Sequence, residues 1–110
     1  MRIQMRHEGG CQVMMIHGSA DTEASPSLRE ALMGAIEAGQ THIVCDLGRA
    51  DFLCSDALGA LITAYLKARG RGGFVRLADP TEPLRELLKT TRLDHLFDIY
   101  SDVTAATARP

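Results

Sequence analysis

Ile3 and Met5 alternate with Gln4 and Arg6, the period of two that marks a half-buried strand. Gly9-Gly10 follows, then a second apolar run from Cys11 to His17, and two strands joined through Gly-Gly read as a hairpin. Gly18 to Glu23 is expected to be a loop. The period then lengthens: Leu28, Leu32 and Ile36, with Ala31 and Ala35, give a helical stripe that ends at Gly39. Ser25-Pro26 supplies its start, with serine as the expected cap and proline in the first turn. His42 to Leu47 is a short apolar run rich in β-branched residues and punctuated by Gly48, the signature of a buried strand. Leu58, Leu61, Ile62, Tyr65 and Leu66 fall at i, i+3, i+4, i+7 and i+8, one face of a helix. Ser55 sits where the cap of that helix is expected, and Asp56 at its first position, where an acid suits the positive end of the helix dipole.

Gly70-Arg71-Gly72-Gly73 reads as the stop of this helix, and Phe74 to Ala78 as another strand. Asp79-Pro80-Thr81 breaks the chain and is expected to cap a third helix, with Leu84, Leu87 and Leu88 on its buried side. Leu93, Leu96 and Phe97 form a hydrophobic turn, Phe97 to Tyr100 a short edge strand, and Ser101-Asp102 the start of a last helix through Thr107. This order predicts an α/β fold with a parallel core and an antiparallel hairpin at one end. No internal repeat, linker or low-complexity segment interrupts it, so residues 1–110 are expected to form a single domain.

Composition narrows the function more than the fold. A 45% hydrophobic and 24% charged chain is ordinary for a globular protein, and a formal net charge of −2 gives no basic footprint for nucleic acid. Arg69, Arg71 and Arg76 gather near one turn and read as a solvated end. Cys11, Cys45 and Cys54 are odd in number and lie in or beside apolar runs, as reduced core thiols of a cytoplasmic protein do. The first residues lack the continuous apolar stretch of a signal peptide, and no run approaches the roughly 20 apolar residues of a membrane span.

Catalytic constellations are thin. Metal-ligand spacings and phosphate-binding glycine loops are missing, so neither a metal nor a cofactor is expected. A hydrolase built on Cys54 would need His7, His17, His42 or His95 beside it, and His42 should lie at the far end of the sheet. Asp46 and Asp51 form the only acidic pair near the site, and two carboxylates without a pocket or partner base are not a mechanism. In α/β sheets, ligand and regulatory sites lie beyond the carboxyl ends of the strands, which is where Asp51 to Ser55 falls.

Asp46-Leu47 followed by Ala50-Asp51-Phe52-Leu53-Cys54-Ser55-Asp56-Ala57-Leu58-Gly59-Ala60-Leu61 resembles the core signature of STAS domains, the bacterial anti-sigma factor antagonists. Gly18-Ser19-Ala20-Asp21 resembles the family's Gly-x-x-Asp entry to the first helix. Leu87 to Leu93 resembles its Leu-x-x-x-Gly-Leu segment, with Arg92 in place of the usual glycine. The resemblance implies a STAS-like (SpoIIaa-like) domain: a mixed four- to five-stranded sheet with an N-terminal hairpin and helices packed against it. It further implies a non-enzymatic interaction switch. Its partner would be an anti-sigma factor that is also a serine kinase, Ser55 the phosphorylated residue, and a metal-dependent serine phosphatase the reset. The partner surface it implies comprises Asp21, Asp51, Cys54, Ser55, Asp56, Leu58 and Gly59. Two departures from the family stand out here: its acid before the serine is Cys54, and Asp56-Ala57 stand in place of Ser-Gly. The alternative is a module without phosphorylation that binds a small apolar ligand or serves as a fixed subunit of a larger assembly.

Overall fold

A computed structural model describes residues 1–108. Five strands, β1 (Arg2–Glu8), β2 (Cys11–Ala20), β3 (His42–Leu53), β4 (Phe74–Ala78) and β5 (Ile99–Tyr100), form one sheet in chain order. β1 and β2 are antiparallel and every other pairing is parallel, so the sheet is mixed as the element order predicts. The helices are α1 (Ser25–Glu37), α2 (Ser55–Gly70), α3 (Glu82–Thr90) and the short α4 (Val103–Thr107), with a 3-10 turn at Leu93–His95. Gly9 and Gly10, at φ of 59° and 80°, make the two-residue turn of the β1–β2 hairpin, a backbone only glycine adopts without strain.

Side chains of the sheet divide by face. Met14, Ile16, Ile43, Cys45, Leu47, Val75 and Leu77 point to the side covered by α1, α2 and α3, where they join Leu28, Leu32, Leu61, Leu84 and Leu88. On the opposite face Cys11, Val13, Val44 and Ala78 meet Ala106 of α4. Arg76 holds that helix down: its guanidinium donates to the Ala106 carbonyl at 2.9 Å and lies 3.7 Å over the Phe74 ring. The Thr107 hydroxyl donates to Glu8, so α4 is also tied to β1. Arg71 donates to the Ile36 carbonyl at 2.8 Å, joining the ends of α1 and α2. Neither arginine is therefore the solvated turn residue expected from the sequence; each donates to a carbonyl in the last turn of a helix.

Three expected boundaries move. The predicted loop at Gly18 to Glu23 is strand through Ala20, and β3 does not stop at Gly48 but continues to Leu53. The reason is bulging: Met15 pairs with Asp46 but His17 with Arg49, and Gly18 pairs with Ala50 but Ser19 with Phe52. Each slip inserts one extra residue into β3. Buried positions consequently fall at Leu47, Ala50 and Leu53, a spacing of three that hides the strand from a search for alternation. Ser25 is not the cap of α1 either. Ala24 holds that position, and the Ser25 hydroxyl donates back to the Thr22 carbonyl. Thr81 does occupy the cap of α3, though without a side-chain bond, whereas Asp102 caps α4 by accepting from the Ala105 N–H at 2.7 Å. In α3, Leu84 and Leu88 are buried and Leu87 only partly.

Arg92 takes φ of 60°, a left-handed backbone that favours glycine and that explains why the family signature carries glycine at this point. Gly73 answers a different constraint, because a Cβ there would fall on the backbone carbonyl of Thr41, which accepts from the Phe74 N–H. Gly34, exposed within α1, has open space where a Cβ would go. Gly73→Ala is expected to lower unfolding free energy by about 1–3 kcal/mol, as overpacking against backbone does. Gly34→Ala should raise it by about 0.5–1 kcal/mol through helix propensity; urea unfolding of the two variants against the parent measures both.

Candidate functional site

The carboxyl ends of β2 and β3 carry the residues singled out by the sequence. They are stitched together: Ala20 pairs with Leu53, and the Cys54 N–H donates to the Ala20 carbonyl at 2.9 Å. Beyond Ala20 the chain turns at Asp21, whose carboxylate accepts from the Ala24 N–H at 2.9 Å while its carbonyl accepts from the Ser25 N–H at 2.9 Å. Asp21 thus shapes the entry to α1, a role its place in the Gly-x-x-Asp segment suits. On the β3 side Asp51 and Phe52 are exposed and Leu53 is buried, and α2 begins directly after Cys54.

Cys54, not Ser55, is the cap of α2, with extended backbone at φ −73° and ψ 171° and no side-chain bond to the first turn. Ser55 is the first helical residue and Asp56 the second, one step later than the sequence suggests. The slip follows from β3 running on to Leu53, which leaves a single residue for the transition into the helix. Ser55 is therefore exposed and its hydroxyl is not the group that caps the helix. The acid that STAS proteins carry before the serine would stand at this cap, where a carboxylate accepts the free N–H groups of the first turn. Here a thiol stands in its place, and Asp56 supplies negative charge to the same turn.

The inward face of α2 is built from small residues. Ala57, Ala60, Leu61, Ala64 and Ala68 are fully buried, which brings the helix close to α1 and the sheet. That seam turns other apolar side chains outward. Leu66, expected in the core stripe, is 59% exposed, whereas Leu58, expected on the partner surface, is only 8% exposed. Ser55, Gly59, Ile62 and Leu66 lie at i, i+4, i+7 and i+11, along one side of the helix. Phe52, 48% exposed, lies three residues before Ser55, near the end of β3. Tyr65 flanks the row, packed edge-on against Phe97 at 5.4 Å and accepting from Arg69 through its hydroxyl. Of the expected residues, Asp21, Asp51, Cys54, Ser55, Asp56 and Gly59 thus gather at one end of the sheet and along α2, and Leu58 supports them from beneath. The exposure of Phe52 and Leu66 was missed; for Leu66 the alanines at 57, 60, 64 and 68 were the signal, since they compete with the leucines for the buried face.

Chemistry beyond binding finds little here. His42 opens β3 and Cys54 follows its far end, so the two share no site. His42 packs instead against Phe74 at 4.9 Å. Asp46 accepts from the Gly48 N–H at 3.0 Å, a structural bond within the first bulge. Among the described residues no group of three or more His, Cys, Asp or Glu is placed to hold a metal. No described helix is long and apolar enough to cross a membrane. Burial, reinforced by the nearby Asp46 charge, pushes the Cys45 thiol up to about 12. Burial also raises Cys11, with Glu8 adding to it and Arg76 opposing. Cys54, by contrast, is partly exposed.

Two outcomes are expected. A thiol reagent at pH 8 should label Cys54 first in the folded protein, with Cys11 reacting only as α4 lifts and Cys45 only after the core opens; peptide mapping of the labelled sites checks this. Cys54→Asp should restore a capping acceptor and stabilise the protein by about 0.5–2 kcal/mol, read from the shift in urea midpoint.

Comparison with known proteins converges. A sequence model of the STAS domain matches residues 2–106. The anti-sigma-B factor antagonist of Bacillus subtilis (strain 168) is 30% identical over 84 residues, 76% of this chain and 76% of that protein. Among solved structures, an anti-sigma factor antagonist from Mycobacterium paratuberculosis superposes with a TM-score of 0.86 at 24% identity, covering 96% of this chain and 89% of that one. The Bacillus cell fate determinant SpoIIAA in its phosphorylated form superposes with a TM-score of 0.73 at 20% identity, covering 94% and 96%.

Proposed function

The chain belongs to the STAS domain family, and from that premise we propose that it is an anti-sigma factor antagonist, a binding module switched by phosphorylation of Ser55. The observation that carries the reading is the position of Ser55: exposed, first in α2, and at the head of a row that runs through Gly59 and Ile62 to the exposed Leu66. A partner laid along that row would cover apolar surface on α2 and Phe52 and would meet a neutral hydroxyl at its edge. That partner is an anti-sigma factor with serine kinase activity. The γ-phosphoryl group of ATP passes to the Ser55 Oγ, the hydroxyl proton leaves to a base on the kinase, and ADP departs. A metal-dependent phosphatase returns the serine by hydrolysis.

The physical effect of the switch is charge. A phosphate brings about −1.5 to −2 at neutral pH, and it must be desolvated if the partner surface is built around a hydroxyl. In the free protein the same phosphate is tolerated, because the first turn of α2 presents its unpaired N–H groups and the positive end of its dipole. Asp56 works against this, since a carboxylate one residue away raises the cost of the dianion. Binding of a small apolar ligand is less well supported. A hollow of about 490 Å³ beside α3 is lined by Glu82, Arg85, Glu86, Lys89, Asp94 and Asp98 together with Phe97 and Ile99, and is mostly charged.

Kinase treatment with ATP followed by phosphopeptide mapping should find Ser55 as the modified residue. Modification of Ser19, Ser25 or Ser27 with Ser55 untouched would overturn the proposal; Ser25 is already buried. Ser55→Asp should weaken binding to the cognate anti-sigma factor about a hundredfold, a change of ~2.7 kcal/mol, while leaving the melting temperature nearly unchanged. Calorimetric titration and thermal scanning separate the two effects, and wild-type affinity in Ser55→Asp would mean that charge at this position is not the switch.

A further inference from the structure

β1 lies at the edge of the sheet and, among the described residues, pairs with β2 alone. The two-residue turn at Gly9-Gly10 makes Glu8 and Cys11 its closing pair, which exchange backbone hydrogen bonds. Bonding alternates along an antiparallel pair, so Arg2, Gln4, Arg6 and Glu8 turn their backbone groups toward β2. Ile3, Met5 and His7 turn theirs outward, to a free edge. Met5, opposite Met14 in the sheet, is nonetheless 50% exposed, so an apolar side chain stands at the middle of that edge.

Edge strands are ordinarily blunted by charge, and β1 carries Arg2, Arg6 and Glu8. Their order matters more than their number. If β1 met a second copy of itself antiparallel, the outward groups of Ile3, Met5 and His7 could bond only when these three faced one another. Three registers satisfy that condition with most of the strand paired. Centred on Gln4, the pairing sets Arg2 against Arg6; centred on Arg6, it sets Arg6 against its own copy. Centred on Met5, it sets Arg2 against Glu8 twice, Gln4 against Arg6 twice, Ile3 against His7 twice, and Met5 against Met5. Only this last register places opposite charges together and like charges nowhere opposite, and it closes the two exposed methionines on each other.

We propose that β1 is a self-complementary edge through which two copies of this chain pair antiparallel about Met5, joining their sheets into one continuous ten-stranded sheet. The occupant is a second copy because the strand's own charge order is its complement, which a foreign strand would match only by coincidence. One seven-residue strand pair is a small interface, so the dimer is weak and concentration-dependent. The proposal stands apart from the reading of Ser55, which lies on the helix side at the carboxyl ends of β2 and β3.

Sedimentation of the untagged chain between about 10 μM and about 1 mM should show a reversible monomer–dimer equilibrium. Hydrogen exchange at the high end should protect the amides of Ile3, Met5 and His7, which exchange freely when dilute. Arg2→Glu and Glu8→Arg should each weaken self-association by about fivefold or more, since each sets like charges opposite one another. Mixed in equal amounts the two variants should pair again, because the introduced acid of one then faces the introduced base of the other, and the unchanged Glu8 of the first faces the unchanged Arg2 of the second. A chain that stays monomeric to about 1 mM overturns the proposal. So does a dimer indifferent to Arg2→Glu, or one whose concentration-dependent protection falls outside β1.

Discussion

β3 spends eleven residues, Ile43 to Leu53, against nine of β2, Gln12 to Ala20, and the position of the proposed switch depends on that mismatch. Each extra residue bends the strand and resets which side chains face inward. Without the bulges Leu53 would not fall on the buried face opposite Ala20, and the transition to α2 would not be a single residue long. Gly48 shows how tightly the first bulge is built: a Cβ there would meet the Asp79 carboxylate at 2.5 Å and that of Asp46 at 3.3 Å. The orientation of Ser55 is therefore inherited from backbone geometry several residues upstream, not from contacts of its own side chain.

Alanine does the complementary work on α2. A helix bearing leucine at every inward position would stand farther from α1 and the sheet; Ala57, Ala60, Ala64 and Ala68 remove that bulk. The apolar residues displaced from the seam become the outer row with Ser55 at its head. Core packing and surface character are thus set by the same spacing, and changing an alanine for volume would move both.

The order of elements was legible because it rests on strong local signals: glycine pairs, prolines and clear changes of period. The extended β3 was not, since Leu47, Ala50 and Leu53 match neither a period of two nor a helix. Leu58 is buried and Leu66 exposed, although the stripe set both on one face, because side-chain volume, and not hydrophobicity alone, decides which face of a helix fits against its neighbours. The cap of α2 was misplaced by one residue for the same reason as β3: a serine before a helical stripe is a good capping signal, and only the strand's true end shows that Cys54 comes first. Arg71 and Arg76 read as solvated because their carbonyl partners, Ile36 and Ala106, lie 35 and 30 residues away in sequence.

The two faces of the sheet are unequal in what holds them. Three helices cover one face over a wide core, while the other rests on α4, two polar ties from Arg76 and Thr107, and a small apolar cluster. The link between Glu8 and Thr107 also joins residues 99 positions apart, so it closes only after nearly everything between them is ordered. Unfolding should accordingly be graded: α4 lifts first, exposing Val13, Val44 and Cys11, while the helical side and the end of the sheet that carries Ser55 keep their shape. A protein so arranged can lose its least stable piece without losing the surface proposed to meet a partner.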